Sequence, residues 1–271
     1  MICENCSHRC DLSEGQTGRC HARSNRGGAI VCDNYGAVTS LALDPIEKKP
    51  LAMFHPGSMI LSAGSYGCNM HCPWCQNDSI SRDVVDAEHL SCEELIGYAL
   101  GTREKGNIGI AYTYNEPSVG YEFVRDCARL AHENGLVNVM VTNGMLSPDR
   151  FDELTAYIDA YNIDVKTSSD KKYASIGGNL KLICDNINSA LLRGRHVELT
   201  TLIVPGFNDD EEDFEGIVRF AAKSDPKMPL HITRFFPAGE MKGAHPTDTG
   251  ILYRYRDLAK RSLENVFWGN V

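Results

Sequence analysis

The stretch "GSYGCNMHCPWCQND" (residues 64–78) places Cys68, Cys72 and Cys75 four and then three residues apart, with Trp74 just before the last. A sealed structural zinc or iron–sulfur site normally takes four protein ligands, and this loop supplies three. Thiolates at this spacing can close around a cubane cluster, whose soft irons favour sulfur, and three of them leave one iron open. On spacing alone, a zinc loop completed by His71 or by a distant residue is the alternative.

Working outward, "SMILSAG" (58–64) leads into the loop as a short apolar run without helical period. "IGIAYTY" (108–114), "LVNVMVTN" (136–143), "YNIDVK" (161–166), "HVELTTLIV" (196–204) and "LHITRFF" (230–236) share its β-branched and aromatic character and predict strands. Helical patterns lie between them. Leu180, Ile183, Cys184, Ile187 and Leu191 share one face, with Gly194 as a stop. Phe214, Ile217, Val218 and Ala221 share another, entered through Asn208 and an acidic turn from Asp209 to Asp213. A third helix runs from Pro117 to Gly135. Six strand–helix units imply parallel strands with right-handed crossovers. They form either a partial barrel or a doubly wound sheet, with ligands at the C-terminal strand ends. Cys68, Glu116, Asn143, Lys166 and Asn208 all fall there.

Composition excludes several classes. The 271 residues carry a formal charge of −9, which argues against a nucleic-acid backbone as partner, and the pair Lys48-Lys49 is too small to change that. No apolar run reaches the roughly 20 residues of a membrane span, and the N-terminus resembles no export signal. Eleven cysteines without such a signal point to a reducing cytoplasm and to metal ligation. Cys92, Cys127 and Cys184 occur singly at helix-like positions and are expected to be ordinary buried thiols.

Residues 1–50 read as a separate Cys-rich segment, and 51–271 as the barrel. Cys3, Cys6, Cys10 and Cys20 suffice for a closed tetrahedral site, with His8, His21 and Cys32 as spares. Structural zinc is the first reading; a second iron–sulfur cluster and unmetallated cysteines are the others.

The cysteine loop resembles the signature of the radical SAM superfamily. "DPIEKKPLAMFHPGS" (44–58), "TYNEP" (113–117), "VTNG" (141–144), "NIDVK" (162–166) and "IVPGFND" (203–209) are similar to segments that recur in that order in relatives of the pyruvate formate-lyase activating enzyme. "CENCSHRCDLSEGQTGRCHARSN" (3–25) is most similar to the AmmeMemoRadiSam-system branch. The resemblance covers almost the whole chain. It implies a partial (β/α)6 barrel in which Cys68, Cys72 and Cys75 hold a [4Fe–4S] cluster. S-adenosylmethionine (SAM) would complete the fourth iron and be cleaved reductively to a 5′-deoxyadenosyl radical.

The resemblance also assigns cofactor contacts. Trp74 lies near the adenine, and Asn115 and Glu116 stand where the family has Gly-Gly-Glu, meeting the methionine ammonium. Lys166 pairs with the methionine carboxylate, and Val204 to Gly206 line the adenine side. Asn143 approaches the ribose or forms an Asn-Gly turn. Asp164 and Thr142 match ligands of a monovalent cation, although Val141 replaces a cation-site aspartate. Phe236 stands where relatives often have histidine, and Thr200 where the activator has arginine. The sequence given stops at "VFWGNV", whereas many branch members carry a further tail. The expected activity is hydrogen abstraction from a glycine of a partner protein, a glycyl radical enzyme, with flavodoxin or ferredoxin as electron donor. The alternatives are radical modification of another protein, peptide or small molecule, or a non-catalytic Cys-rich metal or redox module.

Overall fold

Every segment expected to be extended is a strand in the computed structural model, which describes residues 1–269. In chain order the strands are β1 (Arg23–Arg26), β2 (Ala29–Cys32), β3 (Ala37–Val38), β4 (Ser40–Pro45), β5 (Met59–Gly64), β6 (Glu88–His89), β7 (Asn107–Tyr112), β8 (Val137–Thr142), β9 (Ala160–Asp164), β10 (His196–Ile203), β11 (Leu230–Arg234) and β12 (Val266–Gly269). The helices are α1 (Asp78–Ser81), α2 (Cys92–Gly101), α3 (Tyr121–Glu133), α4 (Pro148–Thr155), α5 (Asp170–Ser175), α6 (Leu180–Leu192), α7 (Glu211–Ser224) and α8 (Thr249–Ala259).

The main sheet has eight strands in the order β12-β11-β10-β9-β8-β7-β5-β4. Only the β4–β5 pair is antiparallel. Its two faces differ because strand side chains alternate. Leu61, Ile110, Tyr161, Ile163, Leu199 and Ile232 point outward and share a core with Val124, Leu154, Ile187, Phe214 and Ile217 of the helices. Each such fully buried side chain contributes about 1.5–3 kcal/mol. Inward, Ile60, Ala111, Val139 and Ala160 pack on Ile46 and Leu51 of the β4–β5 connector. One cavity is lined from Glu47 and Lys48 beside β4 round to Phe267 and Gly269 in β12. The sheet is therefore curled into an open barrel, with the connector as its floor.

Three features depart from the sequence reading. Strands β4 and β12 extend the sheet at its two edges, so the expected boundary at residue 50 falls inside the barrel unit. The first turn of α7 is capped by Asp210, whose side chain accepts from Asp213 N–H, and not by Asn208. Asn208 instead staples the β10 end, accepting from Val204 N–H and donating to the Lys166 and Leu202 carbonyls. The N-terminal segment is also less irregular than expected, since β1 and β2 form an antiparallel pair. The last two residues of "VFWGNV" lie outside the described residues.

Candidate active site

The barrel cavity has a volume of about 760 Å³. Its wall brings together Cys68, Cys72, Cys75 and Trp74 of the loop after β5 with Asn115 and Glu116 after β7. Thr142 and Asn143 after β8 and Asp164 and Lys166 after β9 complete that side. Parallel strands deliver these residues to one rim because every crossover returns the chain to the same end of the sheet.

The cysteine loop is held from several directions. Gly67 has φ +92°, and a Cβ there would stand 2.4 Å from the Cys20 carbonyl oxygen, so this position accepts only glycine. Arg82 donates to the Cys72 carbonyl (2.7 Å), while Glu240 N–H donates to the Pro73 carbonyl (2.7 Å) and its carboxylate meets His71 (2.9 Å). Asn115 clips the loop from the side. It accepts from Ser65 N–H and donates to the Tyr66 and Gly67 carbonyls at 3.0 and 3.1 Å. Next to it Tyr114 has φ +73°, a conformation that costs a bulky residue energy and is retained at functional loops.

Charge is arranged in opposed pairs. Glu116 is completely buried; its carboxylate accepts from Ser118 N–H (3.0 Å), the Thr142 hydroxyl (2.7 Å) and Asn143 N–H (2.7 Å). Burial nevertheless pushes its carboxyl up. Lys166 bonds Asp164 at 2.9 Å; burial works against its charge, but Asp164 outweighs it and holds the ammonium firmly protonated. Burial and the nearby Glu116 raise the Cys68 thiol, and burial raises Cys72.

These residues fit a thiolate-bound cluster with an amino-acid cofactor. Among the described residues no three His, Cys, Asp or Glu side chains are drawn together to seat a metal ion. The three thiols border a shared cavity. Met70 N–H (3.4 Å) and the Asn143 amide (3.8 Å) are aimed at the Cys68 sulfur, the kind of donor that tunes cluster thiolates. A carboxylate and an ammonium on the same wall complement a zwitterion.

Not every anticipated contact reaches the cavity. Val204 is fully buried and does not line it, its N–H being held by Asn208. Phe236 lies exposed beneath Arg234. Thr142 and Asp164 do line the cavity, hydrogen-bonded to Glu116 and Lys166. Trp74 does line the cavity, 4.4 Å from the Phe207 ring.

Cys3, Cys6, Cys10 and Cys20 surround a separate small cavity with His8 and Arg23, but among the described residues no cluster of His, Cys, Asp or Glu forms a metal seat, so the zinc reading gains no support. Burial lifts Cys20 to about 11 and raises Cys6. Cys32 stands apart, bonded to Asn34. Arg23 anchors the segment through a two-pronged bond to Glu122 at 2.7 and 2.6 Å. Asn69 joins the two regions, its carbonyl bonding His8 (2.7 Å) and its side chain accepting from Asn143 (2.8 Å).

Two polar groups escaped the sequence reading. Asp44 gathers Lys49 (2.9 Å), Lys48 (3.2 Å), the Ser62 hydroxyl (3.0 Å) and the Tyr114 hydroxyl (3.0 Å). Burial would raise its carboxyl, but the two ammonium groups and the Ser62 hydroxyl hold it well below the usual range. Glu198, fully buried, accepts from His231 (2.6 Å), His196 (2.8 Å) and the N–H groups of Ala52 (3.0 Å) and Met53 (2.8 Å). The quoted "DPIEKKPLAMFHPGS" was the only signal for either, because it supplies Asp44, both lysines and the floor backbone.

Comparison with known proteins agrees with this geometry. Residues 63–221 match the model of the Radical SAM superfamily, and the chain belongs to that superfamily. It is 37% identical over 99% of its length to an uncharacterized protein of Methanocaldococcus jannaschii, of which it covers 81%. A GTP 3′,8-cyclase of Pelotomaculum thermopropionicum is 33% identical over 71% of this chain and 64% of its own. The 4-hydroxyphenylacetate decarboxylase activating enzyme of Clostridioides difficile is 27% identical over 61% of this chain and 54% of its own. In fold, the chain resembles a domain of pyruvate-formate lyase-activating enzyme from Bacteroides vulgatus, with TM-score 0.52 and 16% identity over 60% of this chain and 99% of that one.

Proposed function

We propose that the chain is a SAM-dependent radical enzyme whose barrel cavity holds cofactor and substrate together. The observation that carries this reading is the convergence of Cys68, Cys72, Cys75, Glu116 and Lys166 on one cavity at the strand ends. When bound, the reduced [4Fe–4S] cluster supplies the electron that breaks a carbon–sulfur bond of SAM, leaving a 5′-deoxyadenosyl radical that abstracts hydrogen. Glu116 keeps acceptor capacity for an ammonium beyond its three donors. Lys166 offers its half-buried charge to a carboxylate, and Trp74 an aromatic face to the adenine.

For the substrate, the activating-enzyme likeness supports hydrogen abstraction from a glycine of a partner protein, with a low-potential donor such as flavodoxin or ferredoxin. Free cysteines throughout support a reducing compartment, the cytoplasm; no described helix is long and apolar enough to cross a membrane. A second reading, a small-molecule substrate, is favoured by the buried Lys49 amine on the cavity wall. The test is anaerobic reconstitution followed by dithionite reduction with SAM. Wild type should release 5′-deoxyadenosine, while Cys68→Ala, Cys72→Ala and Cys75→Ala should assemble no stable cluster and release none. A variant lacking one of these thiols that still cleaves SAM would overturn the reading. Copurification and spectroscopy for a protein-borne radical separate the two substrates.

A further inference from the structure

Two thiols meet between α2 and α3, away from the cavity. Cys92 stands at the first position of α2 and Cys127 near the middle of α3, and their sulfurs are 3.1 Å apart. That gap is roughly 1 Å longer than a sulfur–sulfur bond. Neither residue lines the cavity. Cys127 is fully buried and Cys92 half-buried, so a reagent reaches the pair through Cys92. The Cys127 S–H donates to the Cys92 sulfur. The Tyr35 hydroxyl lies 3.8 Å from the same sulfur and 3.0 Å from the Asp126 carboxylate.

We infer that Cys92 and Cys127 form a reversible dithiol–disulfide couple, in which Cys92 exchanges with low-molecular-weight disulfides and Cys127 resolves the product. The surroundings favour Cys92 as the attacking group. The Cys127 hydrogen bond lowers its thiol below the ordinary range, with the Tyr35 hydroxyl adding to this against burial. A lowered thiol holds more of the nucleophilic thiolate. Cys92 thiolate attacks one sulfur of the small disulfide, giving a mixed disulfide and releasing one small thiolate. That thiolate takes the Cys127 proton, and the Cys127 sulfur, already beside Cys92, displaces the second small thiolate. The second thiolate recovers from water the proton that Cys92 gave up. Two protein thiols and one small disulfide thus become one protein disulfide and two small thiols, two electrons passing from the protein to the reagent. The new bond ties α2 to α3 and closes a loop from residue 92 to residue 127, which restricts the unfolded chain. In a reducing compartment the pair rests as the dithiol and closes when small disulfides accumulate.

This couple needs neither SAM nor an electron from the cluster, so its test is independent of the proposed reaction. The cluster-loaded protein is incubated anaerobically with 2-hydroxyethyl disulfide and quenched with acid. Free thiols and cross-links are then mapped by non-reducing peptide mass spectrometry. Wild type should show a Cys92–Cys127 cross-link that dithiothreitol reverses, and should keep its cluster absorbance. Cys127→Ser should accumulate the mixed disulfide on Cys92 at least tenfold faster than on Cys184, a single half-buried thiol that burial lifts to about 11. Cys92→Ser should leave the buried Cys127 unmodified. The cross-linked protein should melt several degrees above its dithiothreitol-treated form. Modification of Cys92 no faster than of Cys184, or a wild-type product that stops at the mixed disulfide, would overturn the couple. An unchanged melting temperature would overturn the tie between the helices, and lost cluster absorbance would overturn the pair's separation from the cavity.

Discussion

Replacing Glu198 by Gln should destabilise the protein by about 3 kcal/mol at neutral pH. The carboxyl is held at about 2 instead of its ordinary 4.5: burial alone would raise it, but His196, His231 and the N–H groups of Met53 and Ala52 outweigh that. At 1.36 kcal/mol per pH unit, that difference corresponds to about 3 kcal/mol. Glutamine keeps one carbonyl oxygen for four donors and introduces an amide that no partner is placed to accept. For a chain of this length, about 3 kcal/mol lowers the melting temperature by about 6–12 °C. The sign of the pH dependence follows. A carboxyl depressed in the folded state stabilises fully above pH 4.5, and the benefit fades as pH falls toward 2. Wild type and variant should converge over that window in the cofactor-free protein. Differential scanning calorimetry, with limited proteolysis at residues 46–57 as a local readout, measures both. A shift below about 2 °C at neutral pH, with the floor equally resistant to protease, would refute the reasoning.

Other outcomes follow from the same geometry. Glu116→Gln should keep the cluster chromophore and weaken SAM binding about 10- to 150-fold, the equivalent of losing about 1.5–3 kcal/mol of charge-assisted hydrogen bonding; equilibrium binding under anaerobic conditions decides it. Gly67→Ala should cut cluster incorporation, measured as iron per chain, because its Cβ collides with the Cys20 carbonyl 2.4 Å away. Cys127→Ala should cost about 1 kcal/mol, as a small core deletion does, and leave SAM cleavage intact. Its sulfur lies 3.1 Å from that of Cys92, between α2 and α3 and away from the cavity.

The barrel was readable because its strands are short β-branched runs and its chemistry sits where they end. Cys68, Glu116, Asn143 and Lys166 each follow a strand closely, so their arrival at one rim was legible for that reason. Strand β12 is four residues long and β4 alternates only partly buried residues, so neither has a clear period. Asn208 and Asp210 carry the same local capping signal, and only the tertiary position of the Lys166 carbonyl assigns Asn208 to the β10 end. The floor was the least legible part. Asp44 meets Tyr114 across 70 positions, and Ala52 meets Glu198 across 146. Polar residues on inward strand faces read as solvent-facing until the sheet is known to curl around them.

The anchoring of the first thirty residues constrains when they can fold during synthesis. Arg23 finds Glu122 only 99 positions later, Asn5 reaches Ser118 across 113 and Arg150 across 145. Contacts that distant in sequence cannot form until α3, and for Arg150 α4, have emerged from the ribosome, because chain closure must precede their reward. Cys3, Cys6, Cys10 and Cys20 are made well before the residues that anchor their segment. For much of translation these thiols are open to oxidants and free metal, so the redox state of the surroundings acts on the nascent chain before the barrel can shelter it.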